Sequence, residues 1–388
     1  MTEPAARPAD ATVAITAGRD ANASSLAVPI WASAVWESET AAAAAAGAVA
    51  IRPERFYGRH GNPTVAALCS AIAELENAEA ALAVGSGMAA LSTVVFGLCS
   101  AGDHIVASRH CYAGTSALLD GPARRLGITT TFVDATTPGQ LTAAVRPGET
   151  TLVIVETPSN PLLGLVDLDE VGAITGPFTV VDSTFATPLG QRPLDHGVDI
   201  VMHSATKGIA GHNDVTLGVL AAERDIVDAL WAYSTLHGAV PSPFDAMLTL
   251  RGLRTLDVRH ERQSATAVEL ARRLEAHPSI AAVHHPGLDS HPQHALARAQ
   301  LARHGSLLSF ELRDPDSWPA VVEAVTLVRC ATSLGGPETL VCQPSTTTHA
   351  ALSPEDRDTI GISDALIRMS VGLEAVDDLW ADLVRALG

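Results

Sequence analysis

Lysine is nearly absent from this chain of 388 residues. Of its 25 basic residues, Lys207 is the single lysine and all the others are arginine. Genomic base composition can replace a surface lysine by arginine, but arginine cannot supply a deprotonatable amine. We therefore interpret Lys207 as a candidate catalytic amine, and an ordinary surface lysine remains the alternative.

An excess of positive charge and an organised set of cysteines are also missing. Acidic residues number 43 against 25 basic ones, for a net charge of −18, which excludes an electrostatic attraction to nucleic acid or to an anionic membrane surface. The five cysteines are odd in number and form no C-x-x-C pair, which argues against a disulfide framework or a zinc ribbon. This usage predicts a reducing, cytoplasmic location.

No segment has the pattern of a signal peptide or a convincing membrane span. The first twenty residues mix charges with prolines and lack a basic region followed by an apolar one. Residues 81–102 are uncharged, but glycine, serine and threonine interrupt them, so we predict buried core rather than a membrane segment.

The pattern of apolar runs predicts an α/β fold with a mostly parallel sheet. Short runs at 104–106, 152–155, 179–181 and 200–202 are typical of buried strands, and helix-like stretches separate them. Asn62-Pro63-Thr64 predicts the start of a helix.

The remaining segments predict how the chain divides into domains. Residues 251–277 predict one long amphipathic helix, and strand-like runs follow at 307–312 and 367–371. We expect an irregular N-terminal arm contributing to oligomer contacts (1–55), a large α/β domain that binds a cofactor (56–245), and a smaller C-terminal α+β domain (246–388).

Polar residues follow three of the predicted strands, where a ligand of an open α/β sheet would bind. Glu156 follows the first of these strands, Asp182 ends the second, and Lys207 follows the third after Ser204 and Thr206. Gly85-Ser86-Gly87 precedes a helix whose first amides could hold a phosphate. An amine, a carboxylate and a phosphate cradle together predict pyridoxal 5'-phosphate (PLP) as the cofactor.

The chain resembles the Cys/Met-metabolism family of PLP-dependent enzymes, which includes cystathionine γ-lyase, cystathionine γ-synthase and methionine γ-lyase. The resemblance runs from about Tyr57 to the C-terminus, and its motifs occur in the family's order. They are Tyr57-Gly58-Arg59-His60-Gly61-Asn62-Pro63-Thr64, Ser86-Gly87-Met88-Ala89-Ala90, Glu156-Thr157-Pro158-Ser159-Asn160-Pro161, Val181-Asp182-Ser183-Thr184-Phe185-Ala186-Thr187-Pro188, His203-Ser204-Ala205-Thr206-Lys207, Ser333-Leu334-Gly335-Gly336 and Arg368-Met369-Ser370-Val371-Gly372. The resemblance implies the aminotransferase-like fold of type I.

The resemblance also implies how these residues bind the cofactor and act on it. Lys207 would bond the cofactor and shuttle protons, Asp182 would keep the ring nitrogen protonated, and Tyr112 would stack on the ring and assist proton transfer. The residues implied for the phosphate are Gly87, Met88, Ser204 and Thr206, together with Tyr57 and Arg59 from a neighbouring subunit. A homodimer would then be the smallest catalytic unit, and a tetramer is the family's habit.

For the amino-acid substrate, the resemblance implies a carboxylate site formed by Arg368, Ser333 and Asn160. Thr332 lies beside it, where cystathionine γ-lyases and γ-synthases typically carry glutamate. Gly114 stands where methionine γ-lyases typically carry cysteine. Gly58, His60, Ser183 and Gly208 also depart from the common motifs, so the substrate is not determined by either subgroup's signature.

The implied reaction is γ-elimination on a sulfur amino acid, giving 2-oxobutanoate, ammonia and a thiol. The alternative is γ-replacement on an activated homoserine, as in a cystathionine γ-synthase or a homoserine-ester sulfhydrylase, in a specialised pathway such as the synthesis of an unusual amino acid. β-Elimination is a further alternative, and a catalytically silent binding protein is the alternative from a different class. His284-His285 and His291-x-x-His294 lack carboxylate support for a metal, so we expect no metal site.

Overall fold

The computed structural model describes residues 7–22 and 24–388 and contains two sheets with helices packed on them. The strands are β1 (Ala80–Val84), β2 (His104–Ser108), β3 (Thr129–Val133), β4 (Thr150–Glu156), β5 (Phe178–Asp182), β6 (Ile200–Ser204), β7 (Gly218–Ala222), β8 (Ile280–His284), β9 (Leu307–Leu312), β10 (Arg329–Cys330), β11 (Leu340–Cys342) and β12 (Leu366–Ser370).

The α-helices contribute most of the remaining regular structure. They are α1 (Asp10–Thr16), α2 (Ala41–Val49), α3 (Pro63–Glu76), α4 (Gly87–Leu98), α5 (Ala113–Leu118), α6 (Gln140–Ala144), α7 (Leu168–Gly172), α8 (Thr187–Gly190), α9 (Arg224–His237), α10 (Pro243–Leu253), α11 (Leu256–Glu275), α12 (His294–Gln300), α13 (Trp318–Ala324), α14 (Pro354–Thr359) and α15 (Val376–Leu387). Short 3-10 helices and one π-helical turn, Leu119–Ala123, complete them.

The larger sheet is mostly parallel, which confirms the predicted fold class. Its order is β1-β7-β6-β5-β4-β2-β3, and β7 runs antiparallel to both of its neighbours. The predicted strands at 104–106, 152–155, 179–181 and 200–202 correspond to β2, β4, β5 and β6. Because β4, β5 and β6 are parallel, their carboxyl ends meet at one edge of the sheet.

Two helices begin at the caps that the sequence indicates. The Asn62 side chain accepts a hydrogen bond from the amide of Thr64 at 2.9 Å, and Pro63 opens α3. The Ser86 hydroxyl accepts one from the amide of Ala89 at 3.0 Å and so starts α4. The uncharged residues 81–102 therefore form β1 and α4 in the core. None of the helices within 7–22 and 24–388 is long and apolar enough to cross a membrane.

The prediction of a single helix over 251–277 was wrong, because the chain breaks between α10 and α11. Thr255 lies outside the helical region, with φ −113° and ψ 8°. Gly252 packs so tightly on Ala210 that a side chain there would meet the Ala210 carbonyl. The break lets the buried Arg259 of α11 turn back and donate to the Gly252 carbonyl at 2.8 Å, which caps the end of α10.

The N-terminal region is more ordered than the expected irregular arm. Val13 and Ala14 of α1 are buried in the same core as α3 and β1. The alanine run forms α2, because alanine has the highest helix propensity and the Thr40 hydroxyl accepts from the Ala43 amide at 3.0 Å. A role of this region in oligomer contacts stays a prediction.

The smaller sheet lies in the C-terminal part of the chain and has the order β10-β11-β12-β9-β8. Helix α11 joins the two cores: Leu256 packs with the larger sheet, whereas Leu270 and Leu274 pack with the smaller one. We propose that the boundary between the two domains lies within this helix.

Candidate active site

A cavity of about 470 Å³ opens at the carboxyl ends of β4, β5 and β6, next to the first turn of α4. Loops of the smaller domain complete its wall. Two groups among the lining residues differ in chemistry. We call the first the floor: Gly87, Glu156, Asp182 and Lys207. We call the second the mouth: Thr332, Thr347 and Thr348.

Lys207 lies in the turn that follows β6, with its amine inside the cavity. Its Nζ donates a hydrogen bond to the Ser333 hydroxyl at 2.8 Å. Burial lowers the pKa of the Lys207 amine, and the positive charge of Arg368 lowers it further. Arg259 holds the turn by donating to the carbonyl of Gly208 at 2.9 Å. The only lysine of the chain is thus a half-buried amine that loses its proton more easily than usual.

Asp182 is the last residue of β5 and faces the same cavity. The Thr184 amide donates to its Oδ1 at 3.0 Å, and the Thr184 hydroxyl donates to the same oxygen. Burial raises the pKa of the Asp182 carboxyl, while the two Thr184 donors act against this rise. The hydroxyl oxygen of Thr184 also accepts from the Ser204 amide at 2.8 Å, which ties the ends of β5 and β6 together.

The first turn of α4 forms a cradle beside β6. A Cβ added to Gly87 would lie 2.8 Å from Cβ of Ser204, so a side chain at position 87 would fill this space. Met88, Ser204 and Thr206 line the same region. The Thr206 hydroxyl donates to the Leu217 carbonyl at 3.2 Å and accepts from the Leu217 amide at 2.9 Å.

The predicted carboxylate site is assembled by residues from both domains. Arg368 is buried in β12, and its Nη1 donates to the side-chain oxygen of Asn160 at 3.1 Å. Its Nη2 donates to the backbone carbonyl of Ser333 at 3.1 Å. Thr332 lines the cavity next to them. The structure therefore brings Arg368, Asn160, Ser333 and Thr332 together within reach of Lys207.

Tyr112 lies at the start of α5, and its side chain lines the cavity while remaining 44% exposed. Its backbone amide donates to Oε2 of Glu156 at 2.6 Å. A Cβ added to Gly114 would lie 2.5 Å from Cε1 of the Tyr112 ring. Glycine at position 114 therefore allows the ring to pack closely on the backbone of α5.

Tyr57 and Arg59 do not reach this cavity within the chain. The Arg59 guanidinium donates to the Thr235 carbonyl at 3.0 Å and lies 5.4 Å from the centre of the Tyr57 ring. Arg59 lines a different cavity of about 430 Å³. The two residues are close to each other and accessible from outside, which is the arrangement needed if they serve a second copy of the chain.

The sequence analysis did not single out all of the lining residues. Glu156 is a buried carboxyl group that ends β4 as Asp182 ends β5, so its strand-end position was a usable signal. Thr184 could have been found as a donor two residues after Asp182. Thr347 and Thr348 carry no such signal, because they lie in a loop of the smaller domain about 140 residues from Lys207 in sequence.

The other motif histidines have contacts of their own. His203 is buried, and its Nε2 lies 2.6 Å from Oε1 of Glu76. His294 pairs with Asp289, and His284 with Glu311, both at 3.2 Å, so the expectation that these histidines lack carboxylate neighbours was wrong. Among the residues that the structure describes, no group of three histidine, cysteine or acidic side chains is arranged to hold a metal ion.

Comparison with known proteins identifies the family of the chain. A family model described as Cys/Met metabolism PLP-dependent enzyme matches residues 11–388. The O-succinylhomoserine sulfhydrylase of Pseudomonas aeruginosa is 42% identical over 352 residues, covering 90% of this chain and 87% of that protein. A cystathionine beta-lyase of Lactococcus lactis subsp. cremoris is 41% identical over 341 residues, covering 87% of this chain and 89% of that protein. The crystal structure of a cystathionine gamma-lyase from Micromonospora echinospora superposes with a TM-score of 0.90 at 41% identity, covering 98% of this chain and 99% of the other.

Proposed function

Because the chain belongs to the Cys/Met-metabolism family of PLP-dependent enzymes, we propose that it catalyses γ-elimination on a sulfur amino acid. The products would be 2-oxobutanoate, ammonia and a thiol. One observation carries this proposal: Ser333 connects the amine of Lys207, through its hydroxyl, to the guanidinium of Arg368, through its carbonyl. The group that moves protons and the group that binds the substrate carboxylate therefore flank the same space.

The residues present fit the family's cofactor. The cradle at Gly87 leaves room for a phosphate beside the first amides of α4. The Asp182 carboxyl lies on the cavity wall at the end of β5, where it would pair with the protonated ring nitrogen. Lys207 supplies an amine with a lowered pKa. When bound, PLP supplies an electron sink for negative charge on the substrate's carbon atoms.

The chain's own residues would bind the substrate and transfer the protons. Arg368, oriented by Asn160 and Ser333, would bind the α-carboxylate through its planar guanidinium. The Lys207 amine would accept the α-proton, pass it on, and, as a free amine again, accept a proton from the β-carbon. The Tyr112 hydroxyl would donate a proton to the leaving sulfur. Water then hydrolyses the remaining fragment. Overall, one substrate and one water molecule give one thiol, one 2-oxobutanoate and one ammonia.

The mouth supports a substrate whose γ-substituent is uncharged. Within the described chain, the charged side chains that line the cavity are Glu156, Asp182, Lys207 and Arg368. All four belong to the floor or to the carboxylate site, whereas the mouth consists of threonines. The Thr347 hydroxyl already donates to the Gln343 carbonyl at 2.6 Å. A substituent with a free charge would therefore lack a partner of opposite sign there.

The alternative, γ-replacement, shares every step up to the loss of the γ-substituent. It is supported by the sulfhydrylase relative and by a mouth wide enough to leave Thr332 and Thr347 exposed. A thiol would then add at the γ-carbon in place of elimination. β-Elimination, suggested by the name of the Lactococcus relative, would give pyruvate instead of 2-oxobutanoate.

Product analysis separates these reactions. The PLP-loaded protein is incubated with L-methionine, L-homocysteine, L-cystathionine, O-acetyl-L-homoserine and O-succinyl-L-homoserine, with and without an added thiol, and products are identified by mass spectrometry. We expect 2-oxobutanoate without thiol, from uncharged substrates in preference to charged ones. A thioether that forms only with thiol would assign replacement, and pyruvate would assign β-elimination. A protein that binds no lysine-linked cofactor and forms none of these products would instead be a silent binding protein.

We also propose a homodimer as the smallest complete unit, because Tyr57 and Arg59 lie outside the cavity that they are expected to serve. A tetramer, the family's habit, would contain two such units. All five cysteines are free, which supports a cytoplasmic location.

A further inference from the structure

Two carboxyl groups stand side by side in the floor of the cavity. Glu156 ends β4 and Asp182 ends β5, and the two are direct partners in the register of these parallel strands. Neighbouring strands lie about 4.8 Å apart, so two side chains that face the same cavity from these positions are close neighbours. Both residues line the cavity, and Glu156 is only 4% exposed.

The two carboxyl groups have different hydrogen-bond donors. One oxygen of Asp182 accepts hydrogen bonds from both the amide and the hydroxyl of Thr184. Glu156 accepts hydrogen bonds from backbone amides: that of Tyr112, at 2.6 Å, and that of Asn160. A protonated carboxyl group can accept an amide hydrogen bond through its carbonyl oxygen, so the contact with Tyr112 does not require a charge on Glu156.

The protein's own cations do not compensate two negative groups, and a protonated ring nitrogen of the cofactor would pair with Asp182 alone. The cations that face the pair are Arg368 and Lys207, and Arg368 is turned toward Asn160 and Ser333. The Cys111 thiol, close to Glu156, stays neutral because burial raises its pKa to about 12. His203 acts on Asp182 from β6, and its own hydrogen bond goes to Glu76.

Two like charges that share a buried site cannot both form without a large cost, so one carboxyl group of such a pair retains its proton. Burial and the neighbouring Asp182 raise the pKa of Glu156 well above its usual range. The pKa of Asp182 is also raised, and Thr184 and His203 oppose that rise. The amides of Tyr112 and Asn160 and the charge of Arg368 oppose the rise at Glu156 in the same way, but the pKa of Glu156 remains well above its usual range, because Asp182 adds to the effect of burial. We therefore assign the proton to Glu156.

We propose that Glu156 is a positioning residue: as a protonated, neutral carboxyl group it holds the backbone of Tyr112 and leaves the negative charge of the pair on Asp182. The inference rests on the proposed roles of Asp182 and Tyr112. It adds that the single negative charge that would pair with the ring nitrogen depends on a second carboxyl group that stays neutral.

Infrared spectroscopy of the wild-type holoenzyme at pH 7 tests the protonation state directly. Ordinary carboxyl groups are ionised at this pH, so a carbonyl-stretching band of a protonated acid reports a shifted group. We expect such a band, with a shift in deuterium oxide. Absence of the band in the wild-type protein overturns the proposal, whether or not any variant folds.

Glu156→Gln assigns the band and tests the consequence for the cofactor. Glutamine has the size of a neutral glutamic acid, so the band should disappear while the pH midpoint of the cofactor's visible absorption stays within about 0.3 unit of wild type. If Glu156 were ionised, its loss would move that midpoint by about one unit or more. A persisting band or a shift of that size contradicts the proposal.

Glu156→Ala separates positioning from charge. It leaves the amide of Tyr112 without its acceptor, so kcat should fall about tenfold below that of Glu156→Gln. Equal kcat values in the two variants would contradict the positioning role. The infrared band is read without turnover, so failure of the proposed reaction would leave this measurement intact.

Discussion

The floor and the mouth of the cavity are built in different ways. The floor is charged and comes from the ends of β4, β5 and β6 and the first turn of α4. The mouth is uncharged and comes from loops of the smaller domain. Under the proposed function, the ends of the sheet's strands would hold the groups that carry protons and negative charge, while the loops would determine which substrate side chain fits. Relatives with such different names as a sulfhydrylase and a β-lyase are consistent with this division.

The largest effect should come from removing the amine of the floor. Lys207→Ala should reduce kcat/KM by about 10³-fold or more, because the amine proposed to accept the α-proton is removed. Lys207→Arg is the matched control, since it keeps the positive charge but offers no amine that can be deprotonated. Both variants should be inactive in a steady-state assay of 2-oxobutanoate. Activity in either variant would contradict the proposed role of Lys207 as the group that accepts the α-proton.

A smaller loss is expected at the carboxylate site, which joins floor and mouth. Arg368→Lys keeps the charge but loses the paired contacts with Asn160 and Ser333. We expect kcat/KM to fall about 10- to 100-fold, mainly through KM, because a lysine cannot form the bidentate contact. Initial rates over a range of substrate concentrations separate the two parameters. An unchanged KM would place the substrate carboxylate elsewhere.

Arg59→Ala tests whether the floor is completed by a second copy of the chain. We expect the dissociation constant for PLP to rise about tenfold, through loss of one charge-assisted hydrogen bond to the phosphate. Arg55→Ala provides a control, because Arg55 lies 4.6 Å above the Trp31 ring in the same segment and is not assigned to the cofactor. Equilibrium dialysis measures both values. Wild-type retention of PLP in Arg59→Ala would count against a shared site.

The smallest effect is expected at the mouth. Thr332→Glu adds a negative charge at an exposed position, so it should raise the preference for L-cystathionine, which carries a distal ammonium group, over L-methionine by about threefold to fivefold. Thr332→Gln has a similar size without the charge and should leave the ratio near that of wild type. Competition assays with both substrates give the ratio directly. Loss of all turnover in both variants would show that Thr332 belongs to the chemistry rather than to substrate choice.

The contrast between floor and mouth also explains what the sequence could predict. Buried runs indicate strands, and parallel strands bring their carboxyl ends together, so Asp182 and Lys207 were predicted to meet. The same rule applies to Glu156, whose position at a strand end the sequence also indicates, but the sequence alone assigns no role to its carboxyl group. Thr347 and Thr348 come from a loop whose path depends on tertiary packing, and a helical or strand period does not encode that path.

The break between α10 and α11 shows the same limit within a helix. The amphipathic period of 251–277 continues through Thr255, so local pattern favours one helix. The interruption arises from contacts that are distant in sequence: Gly252 against Ala210, and Arg259 against the carbonyls of Gly208 and Gly252. Tertiary contacts with the turn that carries Lys207 therefore decide where the helix ends.

The most direct test of the floor uses the fact that the chain has one lysine. The PLP-loaded protein is reduced with borohydride, digested, and its peptides are analysed by mass spectrometry. We predict that the cofactor's added mass lies on the peptide that contains Lys207 and on no other. Cofactor mass at the N-terminal amine alone, or no cofactor mass on any peptide, would contradict the account.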